Sequence, residues 1–265
     1  MTARKKRMPR ILFLDIETAP LMAHIWSIWQ HGVGLNMLDL DWSILSFSAK
    51  WANDPRIHYF DTFRQRDKRD DTKLVKRLHK LFDEADIVVA HNGKKFDVRK
   101  IQARFILLGL KPPSPFKVVD TLLESRKNFA MTSHKLEYLT NKLCKTKKLT
   151  HKQFPGFLLW DEYLKGNPAA QKEMQVYNEV DVLSLEELYY IILPWMTGHP
   201  NIGAYMDPQD GPVCDKCGST HVIRKGTRTT QVGVYARLQC QTCGGWGRGR
   251  SMENSREHRK NLTIS

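Results

Sequence analysis

The sequence predicts an α/β protein, a mixed sheet flanked by helices, followed by a small module held together by a metal ion. Three observations carry this: an apolar run ending in two acids (Ile11 to Glu17), the alternation of short apolar runs with amphipathic stretches between 44 and 193, and two Cys-x2-Cys pairs late in the chain. At 265 residues there is room for one large domain and one small one.

The stretch Ile11-Leu-Phe-Leu-Asp15-Ile-Glu17-Thr18 reads as a strand that is apolar on both faces, as in a central strand covered from both sides. Its period of two puts Asp15 and Glu17 on one face with Ile11 and Phe13, and Leu12, Leu14 and Ile16 on the other. Pro20 makes the end abrupt. Two carboxylates so close repel unless a cation lies between them, so Asp-x-Glu suggests a hard divalent metal; alone, such pairs are commonly solvated turn residues.

Residues 21–43 hold Trp26, Trp29 and Trp42 without a clean period and read as an irregular excursion near the acidic rim. Its tryptophans could stack on bases, though packing against their own domain is the commoner role. Ile44–Trp51 and Arg56–Asp61 are expected as strands joined through a turn at Asn53-Asp54-Pro55, making a meander with the first. From 71 to 85, Leu74, Val75, Leu78, Leu81 and Phe82 recur at helical spacing. Asp86 to Asn92 returns to strand, and Gly93 breaks it before a helix carrying Phe96, Ile101, Phe105 and Leu108. Asp97 falls in that helix's opening turn, where the dipole favours negative charge, and Phe96 is expected to enter the core. Gly109 ends the helix. Val118–Thr121 is a last short strand, with Asp120 read as a cap on the following helix. A second helix opens near Ser133 with Leu136, Leu139 and Leu143 as its stripe. Residues 144–166, Lys-rich and then aromatic, read as irregular and substrate-facing. Asn167-Pro168 opens a helix running to about Leu193, in which Tyr177 and Asp181, four apart, share a face about 6 Å apart along the axis.

The formal net charge of +14 implies an anionic partner, and nucleic acid is the obvious polyanion. No apolar run approaches the roughly 20 residues that span a bilayer, and no signal peptide is recognisable, so no membrane partner and a cytoplasmic location are expected. Cys214-x2-Cys217 and Cys240-x2-Cys243 form two knuckles whose four sulfurs make a tetrahedral site for one structural Zn2+, with iron as the remaining alternative. About thirty residues cannot bury a sufficient core, so the metal would supply the folding energy. Cys144 lies outside the set and is expected as a reduced core residue. The resulting organisation is a basic arm over 1–10, the α/β domain over 11–197, a Gly- and Pro-rich linker over 198–212, the zinc module over 213–247 with a basic hairpin between its knuckles, and a basic tail over 248–265.

Taken in order, Asp-x-Glu on a first strand, Asn92-x3-Phe96-Asp97 at a strand-to-helix junction and Tyr177-x3-Asp181 on a late helix resemble the motifs of the DEDDy 3′-5′ exonucleases. These are DnaQ-like members of the ribonuclease-H-like superfamily. The chain is most similar to the YprB group, related to the exonuclease domain of family B DNA polymerases, and its last part resembles the zinc ribbons of nucleic-acid proteins. The resemblance implies a ribonuclease-H-like sheet in which Asp15, Glu17, Asp97 and Asp181 hold two Mg2+ or Mn2+ ions and Tyr177 orients the attacking water. It further implies that Thr18 and Leu21 contact the terminal nucleotide and that Asn92 lines the site; His91 is read as a neighbour of the substrate. The implied activity is hydrolysis of phosphodiester bonds at the 3′ end of single-stranded or frayed nucleic acid, DNA favoured over RNA. The ribbon would assist binding, and a replication or repair protein could be a partner. Two alternatives stand beside it: a structure-selective endonuclease of the same fold, and a non-catalytic nucleic-acid-binding or recruitment module.

Overall fold

The computed structural model describes residues 8–29, 32–148 and 153–264, which divide into two compact units. The first comprises Arg10–Arg126 and Met131–Leu188; the second holds Lys127–Ala130, the chain from Tyr189 onward and the end of the N-terminal arm.

In the first unit, β1 (Ile11–Thr18) is the middle of a five-stranded sheet. A small two-stranded ribbon follows, β2 (Met22–Ala23) paired with β3 (Leu38–Leu40). Then come β4 (Ile44–Trp51) and β5 (Ile57–Asp61), helix α1 (Thr72–Glu84), β6 (Ile87–Ala90), α2 (Asp97–Leu107), β7 (Lys117–Asp120), α3 (Thr121–Asn128), α4 (Leu136–Leu143), α5 (Leu158–Lys165) and the long α6 (Pro168–Ile192). The sheet order is β5-β4-β1-β6-β7, with β4 antiparallel to β1 and β5, and β6 and β7 parallel to β1. This is a mixed sheet flanked by helices.

The sheet's chemistry follows its pattern. Leu12, Leu14 and Ile16 pack on one face against Leu74, Val75, Leu78 and Phe82 of α1 and Val98, Ile101 and Phe105 of α2, all buried. Asn53 takes a left-handed φ of 63° in the β4–β5 turn, as an Asx residue tolerates. The Asn167 side chain accepts from the Ala169 N–H at 3.0 Å, and Pro168 opens α6. Further along α6, Ala170, Met174, Asn178, Asp181, Val182 and Leu185 are buried at spacings of three and four, so one stripe of the helix turns inward. Lys50 of β4, itself buried, pairs with Glu186 of α6 at 2.7 Å and pins helix to sheet.

Several expectations are corrected. Residues 144–166 are not irregular throughout, because α5 places Leu159 and Tyr163 one turn apart in a second core with Leu45 and Met174; residues 149–152 of that stretch lie outside the description. Phe96 stays 37% exposed beneath the Lys100 ammonium instead of entering the core. In the excursion, Trp42 packs on the core, whereas Trp26 and Trp29 are 91% and 82% exposed.

The second unit carries a three-stranded sheet ordered β10-β9-β8, from β8 (Val222–Thr229), β9 (Val234–Cys240) and β10 (Trp246–Met252), and a short helix α7 (Arg256–Lys260). The expected hairpin is present, but Arg248 and Arg250, placed in a tail on sequence grounds, lie in the third strand. The alternating Gly-Arg run has no strand preference of its own; pairing of Trp246–Arg248 with Gln239–Arg237 imposes it. Among the described residues, no helix is long and apolar enough to cross a membrane.

Candidate active site

Three chain segments converge on the acidic end of β1. Strand β6 pairs with β1 only from Ile11 to Phe13, while β4 stays paired past Glu17, so the last residues of β1 present an open edge on the β6 side. The Ile16 N–H uses that opening to donate to Asp97 Oδ1 at 3.3 Å. A register shift at Glu17/Thr18 re-aims the strand end, as bulges beside sites often do. Asp97 is the first residue of α2, and the loop before it is tightly specified. Asn92 has a φ of 69°, and a Cβ at Gly93 would meet the Ala90 Cβ at 2.4 Å, so only glycine fits. Asp120 fastens this loop from below: its Oδ1 accepts from Asn92 N and its Oδ2 from Lys94 N, both at 3.0 Å. The same Oδ1 caps α3 through Leu122 N and Leu123 N. Asp120 is therefore a cap, as expected, and a loop anchor as well.

From α6, Asn178 Nδ2 donates to Asp15 Oδ2 at 2.5 Å, and Asp181 and Tyr177 face the same cluster. From α5, Trp160 Nε1 donates to Glu17 Oε2 at 3.1 Å. Lys148 enters from the segment after α4: its ammonium pairs with Asp181 and lies 4.6 Å from the Tyr177 ring centroid.

The electrostatics show that these groups sense one another. Burial, moderated by Lys148 and Asn178, pushes the Asp15 carboxyl up to about 6. Asp181 is pushed to about 7 by burial and by Asp15, and Glu17 and Asp97 are raised well above the usual carboxylate range by burial and the same neighbour. Burial and Asp181 raise the Tyr177 phenol as well, so it stays protonated at neutral pH. Lys148 is held in its charged form by Asp181 and Asp15 against a desolvation penalty.

An acidic site of this kind fits divalent cations. Among the described residues four carboxylates face one ammonium, Asp97 and Asp181 buried and Asp15 and Glu17 half-buried, Asp181 Oδ1 is buried with no hydrogen-bond partner, and the donors are hard oxygens. No three of these acids offer oxygens that all lie within 4.8 Å of one another.

The structure thus brings together Asp15, Glu17, Asp97, Asp181 and Tyr177. Among the described residues, no hydrogen bond ties the side chains of Thr18, Leu21 or Asn92 to the acids; Thr18 ends β1, Leu21 is 55% exposed, and Asn92 serves through its backbone. His91 is a structural tie. Its Nε2–H donates to the His134 carbonyl and its Nδ1 accepts from Thr121 Oγ1, both at 2.9 Å, and burial depresses its pKa to about 4. Sequence reasoning missed Lys148, Trp160 and Asn178. Asn178 was findable, since it lies three residues before Asp181 on the same helix face. Nothing in the run Lys145-Thr-Lys-Lys148 singles out its last member.

In the second unit, Cys214, Cys217, Cys240 and Cys243 are the one group of three or more potential ligands, among the described residues, with donor atoms within 4.8 Å of one another. Cys214–Cys243 and Cys217–Cys240 sulfurs are 3.7 Å apart, close to the ~3.8 Å edge of a tetrahedron with Zn–S bonds near 2.3 Å. Both knuckles close alike: Gly218 and Gly244, at φ of 77° and 79°, donate their N–H to the carbonyls of Cys214 and Cys240 at 3.0 Å. The cluster fits a zinc ribbon. Cys144 is buried apart from it, its thiol raised to about 11 by burial.

A five-stranded mixed sheet with carboxylates converging at the end of its central strand defines a ribonuclease-H-like nuclease fold. The chain belongs to the RNase H superfamily, whose family model matches residues 12–193. Among solved structures it is similar to the family B DNA polymerase from the hyperthermophilic archaeon Pyrobaculum calidifontis, at 18% identity and a TM-score of 0.52 over 70% of this chain. The match covers 25% of that polymerase, so the likeness is to a part of it and concerns the fold. No curated protein matches the sequence.

Proposed function

We propose that the protein is a two-metal-ion 3′-5′ exonuclease that hydrolyses the terminal phosphodiester bond of single-stranded or frayed nucleic acid, DNA before RNA, with the zinc ribbon assisting binding. The observation that carries this reading is the convergence of Asp15, Glu17, Asp97 and Asp181 with the protonated phenol of Tyr177 at one point, from three separate segments. A pure binding module gains nothing from clustered acids facing phosphates.

Asp15, Glu17, Asp97 and Asp181 would hold Mg2+ or Mn2+. Such ions supply Lewis-acid stabilisation of the charge that develops as a phosphodiester is cleaved. The protein's own groups do the rest. Asn178 and Trp160 lock the rotamers of Asp15 and Glu17, so the ligands are preorganised. Tyr177, protonated, orients a water by hydrogen bonding rather than by abstracting a proton. Lys148 offers a fixed positive charge to the phosphate, whose approach is otherwise opposed by the acids. Thr18 and Leu21 are assigned to the terminal nucleotide, and Asn92 to the lining of the site.

Digestion of 5′-labelled single-stranded DNA, single-stranded RNA and blunt duplex in Mg2+ or Mn2+, beside Asp181→Ala, tests this. The expected result is a ladder shortening one nucleotide at a time from the 3′ end, absent in the variant. A discrete internal cut would replace the exonuclease by an endonuclease, and binding without cleavage would leave a recruitment module.

A further inference from the structure

Between residues 213 and 265 there are ten lysines and arginines against three acids. In the second unit's sheet, Arg248 stands directly opposite Arg237 and Trp246 opposite Gln239, so these side chains share one face. Like charges facing each other across a ladder destabilise it unless an anion lies over them. Cations and ring faces alternate there: the Arg237 guanidinium is 5.3 Å from the Trp246 centroid and that of Arg248 is 4.0 Å from the Tyr235 centroid. The acids do not answer this charge. Asp215 pairs with Lys216 and Glu253 with Arg224, which leaves Arg228, Arg237, Arg248 and Arg250 without an acidic partner among the described residues.

Within this same unit a groove of about 940 Å3 runs past Arg228, Arg248, Arg250, Trp195 and Trp246. Trp195 and Trp246 are 64% and 46% exposed, and Phe129 braces Trp195 edge-on at 5.9 Å. Unpaired arginines beside two uncovered indoles suit a ligand that is both anionic and planar. Single-stranded nucleic acid is such a ligand, its bases stacking on aromatic faces while its phosphates pair with arginine. A duplex hides its base faces, and an acidic peptide would leave both indoles uncovered.

We propose that this groove binds single-stranded nucleic acid, with bases stacked on Trp195 and Trp246 and phosphates held by Arg228, Arg248 and Arg250. The proposal deepens the nucleolytic reading and rests on it for its biological sense, but the two are tested apart. Binding of a fluorescein-labelled oligothymidylate of about 15 nucleotides, roughly the upper site size of one small binding module, is measured by anisotropy on the full zinc-loaded chain without Mg2+ or Mn2+. The oligonucleotide should bind at least about tenfold more tightly than a duplex of equal length. Trp195→Ala and Trp246→Ala should each weaken binding about tenfold, Trp246→Phe should retain most of it, and Arg248→Ala should lower the salt slope by about one. Zinc content and unfolding temperature identify any variant that fails to fold; Trp195 is not a metal ligand, so its variant provides an independent reading.

Unchanged affinity in both Trp→Ala variants, equal binding of duplex, or displacement of the oligonucleotide by an equal concentration of polyglutamate would overturn the proposal, the last in favour of an acidic protein partner. Cleavage of a thymidine dinucleotide, too short to need the groove, reports on the acid cluster alone. Dinucleotide cleavage without oligonucleotide binding would sink the groove and spare the nuclease; binding without cleavage would do the reverse.

Discussion

Asp120 is the acid most easily mistaken for a ligand, since it ends a strand beside Asp97, and its substitution separates structural from chemical roles. Its carboxylate is 2% exposed and accepts four backbone N–H groups: three on Oδ1, from Asn92, Leu122 and Leu123, and one on Oδ2, from Lys94. Asp120→Asn can keep the Oδ1 set but turns an amide NH2 toward Lys94 N. It should cost about 1–2 kcal/mol, the price of one unsatisfied donor. Asp120→Ala loses the helix cap, about 1 kcal/mol, and strands the Asn92 and Lys94 N–H groups at ~1–1.5 kcal/mol each, about 3–4 kcal/mol together. Urea unfolding of both variants measures these differences, and Mn2+-induced thermal stabilisation measures the metal response. Asp120→Asn should retain that response, because its backbone bonds, not its charge, hold the loop that carries Asp97. Wild-type stability with an abolished Mn2+ response in Asp120→Asn would refute the reasoning and make Asp120 a ligand.

Three further outcomes are expected. Lys148→Met removes an ammonium from the acid cluster and should destabilise the metal-free protein by about 3 kcal/mol at pH 7, as breaking a buried pair does, while enlarging the stabilisation by Mn2+; calorimetry with and without the ion shows whether both changes occur. His91, faced by Asp120, Lys148 and Arg126, has a folded pKa near 4 against 6.5 ordinarily. The unfolded chain therefore binds this proton first as pH falls, so the His91 contribution to stability drops by up to ~1.4 kcal/mol per unit between about pH 6.5 and 4, opposite in sign to that of Asp15 and Asp181, whose raised folded pKa values make the folded state take up protons over an overlapping range; the difference in urea midpoints between wild type and His91→Gln isolates it, and the same slope in both would contradict this. Removal of zinc by a strong chelator should abolish the Trp246 fluorescence signature of the folded ribbon and leave Mn2+ binding at the acid cluster intact, because about thirty residues around four cysteines have little core without the metal.

The elements legible in the sequence are those whose signals are local. β4 coincides with its expected bounds because Leu45, Phe47, Ala49 and Trp51 alternate with Ser46, Ser48 and Lys50 at the period of a strand, and α6 begins where Asn167 caps and Pro168 cannot donate. The acids and Tyr177 were legible for the same reason: each sits at a strand end, a helix start or an i, i+4 pair. What escaped depends on partners far along the chain. β10 is a strand because the second knuckle delivers Trp246 beside Gln239, and α5 is a helix because Leu159 and Tyr163 find Leu45 and Met174. Lys148 reaches the site from a segment whose backbone is tied to α4, its N–H donating to Thr140 Oγ1 at 3.3 Å, a contact its own sequence does not announce.

Lys148 also bears on how such an acid cluster exists before metal arrives. Four clustered carboxylates with raised pKa values would otherwise escape repulsion by taking up protons or by moving apart. A single ammonium, paired with Asp181 and near Asp15, offsets part of that repulsion and keeps the ligands in place. It offsets only part, since among the described residues one cation faces four acids and Asp181 Oδ1 is without a partner. The remaining deficit is what a hard dication would fill, so the same side chain that stabilises the metal-free cluster would set the electrostatic work of binding one.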